Sequence, residues 1–171
     1  IEQVARLFSA GSFYYYIMNF DTLEMEYVDG RVESVLGMNQ KEFNLNKLFE
    51  IIHPEDLKQM HNKEEKAVDF ILNKIPIDDI LRYKVVYLMR LRHTDGSYKT
   101  ILQQSKTLTL SDDGKVQQVL GIHTDVTYLN MPVDHKISFI GDDRPSYYAM
   151  SGDKKFIPVE LNYHKLYTTR E

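Results

Sequence analysis

Helical spacing and strand alternation divide this chain into segments before composition is considered. Ile1, Val4, Leu7 and Phe8 recur on one helical face, so residues 1–12 read as a short amphipathic helix ended by Ala-Gly-Ser. Residues 13–20, FYYYIMNF, are aromatic-rich and suit a strand. Residues 23–28 set Leu23, Met25 and Tyr27 against Glu24 and Glu26, a half-buried strand that closes a hairpin with the first. Residues 29–43 are helical in pattern but broken at Gly37. Residues 46–74 pass from a short apolar turn into a longer helix, on which Leu57, Met60, Val68 and Ile71 can share a core face. Residues 81–93 alternate clearly, with Tyr83, Val85, Tyr87, Met89 and Leu91 opposite Lys84, Val86, Leu88, Arg90 and Arg92. Asp95-Gly96 reverses the chain into a partner strand over 98–110, whose parity is ambiguous. A second turn leads to a third strand over 116–126. Two strands, several helices, then three hairpin-linked strands define an α+β pattern with an antiparallel sheet. Beyond Thr127 the pattern restarts: HKISFIG and SYYAM predict an extra hairpin in an accessory segment over 129–163. Residues 164–171 then read as a linker.

The bulk numbers mainly exclude. At 171 residues the chain suits one domain with extensions. A net charge of −4 gives it no electrostatic reason to grip nucleic acid or an anionic membrane by itself. No apolar run approaches the ~18 residues of a membrane span, and no signal peptide is visible. The absence of cysteine removes disulfides, thiolate metal sites and cysteine nucleophiles together, and fits a cytoplasmic protein. The chain lacks an initiator Met and reads as a trimmed piece.

IIHPEDLKQMH, residues 51–61, gathers His53, Glu55, Asp56 and His61, side chains suited to metal or acid–base chemistry. Local geometry favours another reading. Proline is welcome at the first helical position, and acids in the first turn meet the positive end of the helix dipole. His-Pro-Glu-Asp is therefore a helix start, with His53 just outside it. His61 lies about 12 Å further along the axis, too far to share a metal with His53. No nucleophile, phosphate loop or metal spacing appears elsewhere, so no catalytic residue, metal or enzymatic activity is expected. The competing class is a small α+β enzyme that pairs His53 or His123 with an acid.

Several motifs, in order, resemble those of PAS sensory domains over residues 13–128. EYVDGRVESVLG is similar to the family's second strand and first helix, ending at Leu36-Gly37. IIHPEDL resembles its His-Pro-Glu-Asp turn, RHTDGSYKTI its Asp-Gly turn, and VLGIHTDVT its closing strand. Thr100 stands where the family often has Trp. The family's Asn-Cys-Arg motif is missing, which excludes cysteinyl-flavin photochemistry. The resemblance implies a five-stranded antiparallel sheet with short helices and one longer helix on one face. It also implies a concavity that can hold a small molecule, and it turns Val119, Gly121 and His123 inward. Strand alternation independently sends Tyr87, Met89 and Leu91 to the apolar face. Met25, Tyr27, Leu36, Ile52, Met60, Ile101 and Gln103 could complete the wall; the competing reading makes all of them ordinary core side chains.

His123 stands out, because a buried ring nitrogen left unpaired costs about 1–3 kcal/mol. Asp125 on the same strand face, a tyrosine hydroxyl, trapped water or a ligand could serve it. Haem-binding members take their histidine from the long helix, which makes His61 the haem candidate, poorly placed near the helix start. The outer sheet face carries Leu88, Leu102, Leu120 and Ile122, a seat for Val4 and Phe8 of the leading helix or for a second subunit. A homodimer is expected. Finally, LYTTRE at 166–171 resembles the opening of a LuxR-type helix-turn-helix. That implies a sensor for a bacterial transcriptional regulator, touching DNA only through a C-terminal domain absent from this chain. The alternative is a sensor of a histidine kinase or another signalling protein.

Overall fold

The computed structural model describes residues 9–159. Residues 1–8, with the expected helix positions Val4 and Phe8, lie outside the described residues, as do residues 160–171 with LYTTRE. Strands β1 (Phe13–Asn19) and β2 (Glu24–Val28) form the first hairpin. Helices α1 (Val32–Leu36), α2 (Leu45–Ile51) and α3 (Pro54–Asp69) follow, and α3 continues through a π turn, Phe70–Lys74. A 3-10 turn, Ile77–Arg82, leads into β3 (Tyr83–Arg92), β4 (Tyr98–Leu110) and β5 (Val116–Asp125). Strands β6 (Lys136–Gly141), β7 (Tyr147–Met150) and the two-residue β8 (Ile157–Pro158) complete the described residues.

All eight strands belong to one antiparallel sheet in the order β2-β1-β5-β4-β3-β6-β7-β8. The first five positions are the expected sheet. The accessory hairpin joins it rather than standing apart: β6 pairs with β3 from Tyr83↔Gly141 to Val86↔Ser138. An open β3 edge would present unpaired backbone groups, and β6 satisfies them. Its side chains also enter the common core. Phe139 stacks on Phe70 of the π turn with ring centroids 4.0 Å apart, and Ile137 and Ala149 are fully buried beside them.

The His-Pro-Glu-Asp segment is the expected helix start, and it also ties the helix to the sheet. The His53 Nδ1 accepts from the Glu55 backbone N–H at 3.2 Å, capping α3. Asp56 reaches across to β3. It accepts from the Arg90 backbone N–H at 2.8 Å, from Nε at 2.9 Å and from Nη2 at 2.6 Å. Gly37 ends α1 in the left-handed conformation, φ 75°, where a Cβ would come within 2.1 Å of Thr94 Oγ1.

Three positions differ from the sequence pattern. Leu23, expected with Met25 and Tyr27 on the inner face of the second strand, is 57% exposed in the turn before β2. Val68, expected on the core face of α3, is 47% exposed. The buried stripe instead runs through Met60, Lys63, Ala67 and Phe70, at the 3-4-3 spacing of one helix face. Tyr27, expected in the cavity wall, is 45% exposed and stacks on Tyr15 with centroids 5.4 Å apart. The cause is a β-bulge: the register passes from Ile17↔Tyr27 to Met18↔Met25, so Glu26 is an extra residue and alternation resets across it. Met25 and Val28 turn toward the core, and Tyr27 is left on the outside.

Candidate functional site

One cross-strand rung builds the site. Register pairs Tyr14 of β1 with His123 of β5, His123 with Gln103 of β4, and Gln103 with Tyr87 of β3. Paired residues on one face of a sheet point the same way, so four polar side chains from four strands line up under the helices. All four are buried. Tyr16 lies two residues along β1 and adds a fifth, while Phe43, from the loop before α2, closes over Tyr14 edge-on at 5.3 Å.

The hydrogen bonds within this group are few. The Tyr14 hydroxyl lies 2.5 Å from His123 Nδ1. The Tyr87 hydroxyl donates to Glu64 Oε1 of α3 at 2.6 Å. Gln103 Nε2 donates to the Tyr16 hydroxyl across a long 3.5 Å. Two buried atoms, His123 Nε2 and Gln103 Oε1, have no hydrogen-bond partner among the described residues. Burial disfavours the charged form of each titratable member of the group. It pushes the Tyr14, Tyr16 and Tyr87 hydroxyls well above the usual tyrosine range and raises the Glu64 carboxyl. The same desolvation lowers His123 to about 3.

The histidine shift has a measurable consequence. The unfolded chain takes up a proton near 6.5 that the folded chain refuses until about 3. Stability from this group is therefore complete above pH 6.5 and lost as pH falls, at about 1.4 kcal/mol per unit. Urea unfolding at pH 5.5 should show a native state weaker by about 1.4 kcal/mol from His123 than at pH 7.5. The difference should vanish in His123→Phe.

Gly121 explains how Tyr16 fits. A Cβ at this position would stand 2.2 Å from Tyr16 Cζ, so the ring lies directly on the backbone of β5. Gly121→Ala should cost about 1–3 kcal/mol in urea unfolding by forcing the ring aside. A neutral substitution there would show that Tyr16 is free to move.

The residues expected in the wall differ in burial. Leu36, Ile52, Met60, Tyr87, Met89, Ile101, Gln103 and His123 are buried, and Met25 and Val119 are half-buried. Tyr14, Tyr16, Phe43 and Glu64 belong to the site and were not picked out by sequence. The alternating tyrosines of FYYY were the available signal, since every second one must share a face. Asp125 does not serve His123: it is held by Lys99 at 3.1 Å and by the Thr127 backbone N–H at 3.0 Å. His61 is exposed and lies flat on Phe49, away from the rung. On the outer face Leu88, Leu102, Leu120 and Ile122 are half-buried. Among the described residues no group of three His, Asp or Glu stands close enough to hold a metal ion. None of the described helices is long and apolar enough to cross a membrane.

A second polar feature sits at the seam with the accessory hairpin. Lys63 is only 1% exposed. Its Nζ donates to the carbonyls of Leu88 at 3.1 Å and Asp134 at 2.7 Å, and lies 5.1 Å from the Tyr87 ring centroid. It borders a cleft of about 150 Å³ between α3, β3 and Val133–His135.

Five strands in the order 2-1-5-4-3, capped by short helices and one long helix, define a sensory-domain class. Residues 25–123, more than half of the chain, match the family described as PAS fold, and the chain belongs to it. Solved structures agree on the fold. The N-terminal domain of a diguanylate cyclase with PAS/PAC sensor from Marinobacter aquaeolei is 21% identical, with a TM-score of 0.56 over 70% of this chain and 99% of that one. A sensory box histidine kinase/response regulator from Burkholderia thailandensis E264 is 18% identical, with a TM-score of 0.53 over 75% of this chain and 86% of that one. The PAS domain of a Colwellia psychrerythraea protein is 15% identical, with a TM-score of 0.51 over 74% and 97%. No curated protein matches the chain.

Proposed function

We propose that this PAS domain is the sensing and dimerisation module of a bacterial cytoplasmic signalling protein, and that its concave face takes a small molecule. The observation that carries this is the buried rung, with two polar atoms left unpartnered in an otherwise satisfied core. The chain is read as a sensor without catalysis of its own, because the rung offers uncharged groups and no activated nucleophile. A ligand would act by binding two arrangements of sheet and helices with different affinity. Native mass spectrometry with an absorbance spectrum on the purified chain tests this. A retained mass or chromophore is the expected result, and a bare chain that no compound stabilises would sink it.

The output is read as a LuxR-type helix-turn-helix that regulates transcription, supported by LYTTRE at 166–171. A second reading, sensor of a histidine kinase or cyclase, draws support from the names of the similar structures. The gene sequence following the Glu171 codon separates them, since it encodes a helix-turn-helix in one case and a kinase or cyclase domain in the other. The half-buried leucines of the outer face are the proposed homodimer contact, together with the segment carrying Val4 and Phe8. Light scattering behind size exclusion should give twice the chain mass, and a monomer at high concentration would overturn it.

A further inference from the structure

The buried rung also restricts the chemistry of its ligand, an inference that rests on the sensor reading above. The only hydrogen-bond partner of the Tyr14 hydroxyl among the described residues is His123 Nδ1. With the hydroxyl donating, the arrangement that leaves no Tyr14 proton bare, the imidazole proton resides on Nε2, a donor with nothing to receive it. On the next strand, Gln103 spends an amide N–H on Tyr16 and leaves Oε1 as an acceptor with nothing to accept. The two residues are register partners, so their Cβ atoms stand about 5 Å apart and both side chains face the helices. His123 is 0% exposed and Gln103 4%. One bare donor thus stands beside one bare acceptor.

That pairing selects. Tyr14, Tyr16, Gln103 and His123 carry no counter-charge, so a carboxylate or phosphate would lose its hydration uncompensated. A molecule that only accepts, or only donates, leaves one of the two atoms bare, at about 1–3 kcal/mol. We propose that His123 and Gln103 together bind the edge of an uncharged planar amide, lactam or imide. His123 Nε2 donates to the ligand carbonyl, and Gln103 Oε1 accepts from the adjacent ligand N–H. Tyr16, edge-on to His123 at 5.2 Å and joined to Gln103 by a long bond, is the side chain that must be displaced to admit the ligand. A single bridging water is the competing occupant.

Titration of the full chain with 2-pyridone, which carries this edge, tests the assignment by following the His123 side-chain nitrogen resonances. N-methyl-2-pyridone, which lacks the donor, and benzoate, which is charged, are the comparison probes. The expected result is a saturable shift of the Nε2 resonance with 2-pyridone and binding at least about tenfold weaker for both comparisons. Gln103→Leu should weaken 2-pyridone by about tenfold. Should that variant unfold, the three-probe comparison on the unaltered chain decides alone. Equal binding of the N-methyl compound overturns the ligand class and leaves the sensor reading standing. So does a retained mass in native spectrometry without any response to 2-pyridone. A lone water contact to Nε2–H, with no retained mass and no response to any probe, overturns both.

Discussion

Phe139→Ala is expected to lower the unfolding free energy by about 4 kcal/mol, with the whole chain still unfolding in one step. Phe139 is fully buried, stacked on Phe70 at 4.0 Å and met edge-on by Phe156 at 5.5 Å. Truncation removes the apolar ring and leaves a cavity between the π turn and the sheet, where Phe70 is itself closed in by Tyr83 at 5.1 Å. The expected size follows from buried Phe→Ala substitutions in general. The shape of the transition carries more information than its midpoint. β6 shares its core with β3 and α3, so losing its anchor must weaken all of them together. Urea unfolding followed in parallel by far-UV circular dichroism and tyrosine fluorescence should give coincident curves. A first step at low urea, followed by a second at the unaltered midpoint, would mean that the hairpin is an independent appendage.

Asp56→Ala is expected to cost about 3 kcal/mol at neutral pH. The carboxylate satisfies the Arg90 backbone N–H as well as its guanidinium, so alanine orphans a backbone donor of β3 as well as a charge. Arg90 is partly exposed and keeps Glu55 at 3.0 Å, which holds the cost at the low end for a broken buried pair. The pH dependence has a definite sign. Burial pushes the Asp56 carboxyl up, but the bonds from Arg90 outweigh it and the net shift is downward. A carboxyl lowered on folding stabilises fully above its unfolded value, near 3.8, and loses that contribution as pH falls through the folded value. The gap between the parent and Asp56→Ala should therefore be constant from pH 7 to 5 and should close below about pH 4. A gap that does not begin to narrow as pH falls below about 3.8 would mean that packing, not charge, holds this joint.

The same joint shows what the sequence could reveal. Proline before two acids specified a helix start at residue 54 from local rules alone, and the structure has it there. That Asp56 would also clasp Arg90, 34 residues away, depends on where the helix is laid over the sheet, which no local rule contains. Alternation placed Tyr87, Met89 and Leu91 inside, because β3 has no irregularity against β4. The same rule failed at Tyr27, because one extra residue in β2 resets it. The stripe on α3 departs from the apolar pattern because it passes through Lys63, which such a pattern scores as solvent-facing, and continues at Ala67 rather than Val68. Lys63 is tolerated inside only because two carbonyls, one from each side of the seam, receive its protons. His123 is buried as the closing-strand pattern expects, yet its partner Tyr14 lies 109 residues away and meets it only through the β1–β5 register.

Joining the accessory hairpin to the sheet turns it into a lever. β8 stands five strand spacings from β5, about 24 Å across the sheet. Each step between neighbouring strands adds about 20° of twist, so the far strand is rotated about 100° from the strand that carries His123. Angular changes add along such a series. A change of about 2° at each of the five steps reorients β8 by about 10°, while hydrogen-bond lengths within each pair hardly alter. A small adjustment around the rung would therefore be largest at Ile157–Pro158, the point on the sheet furthest from it.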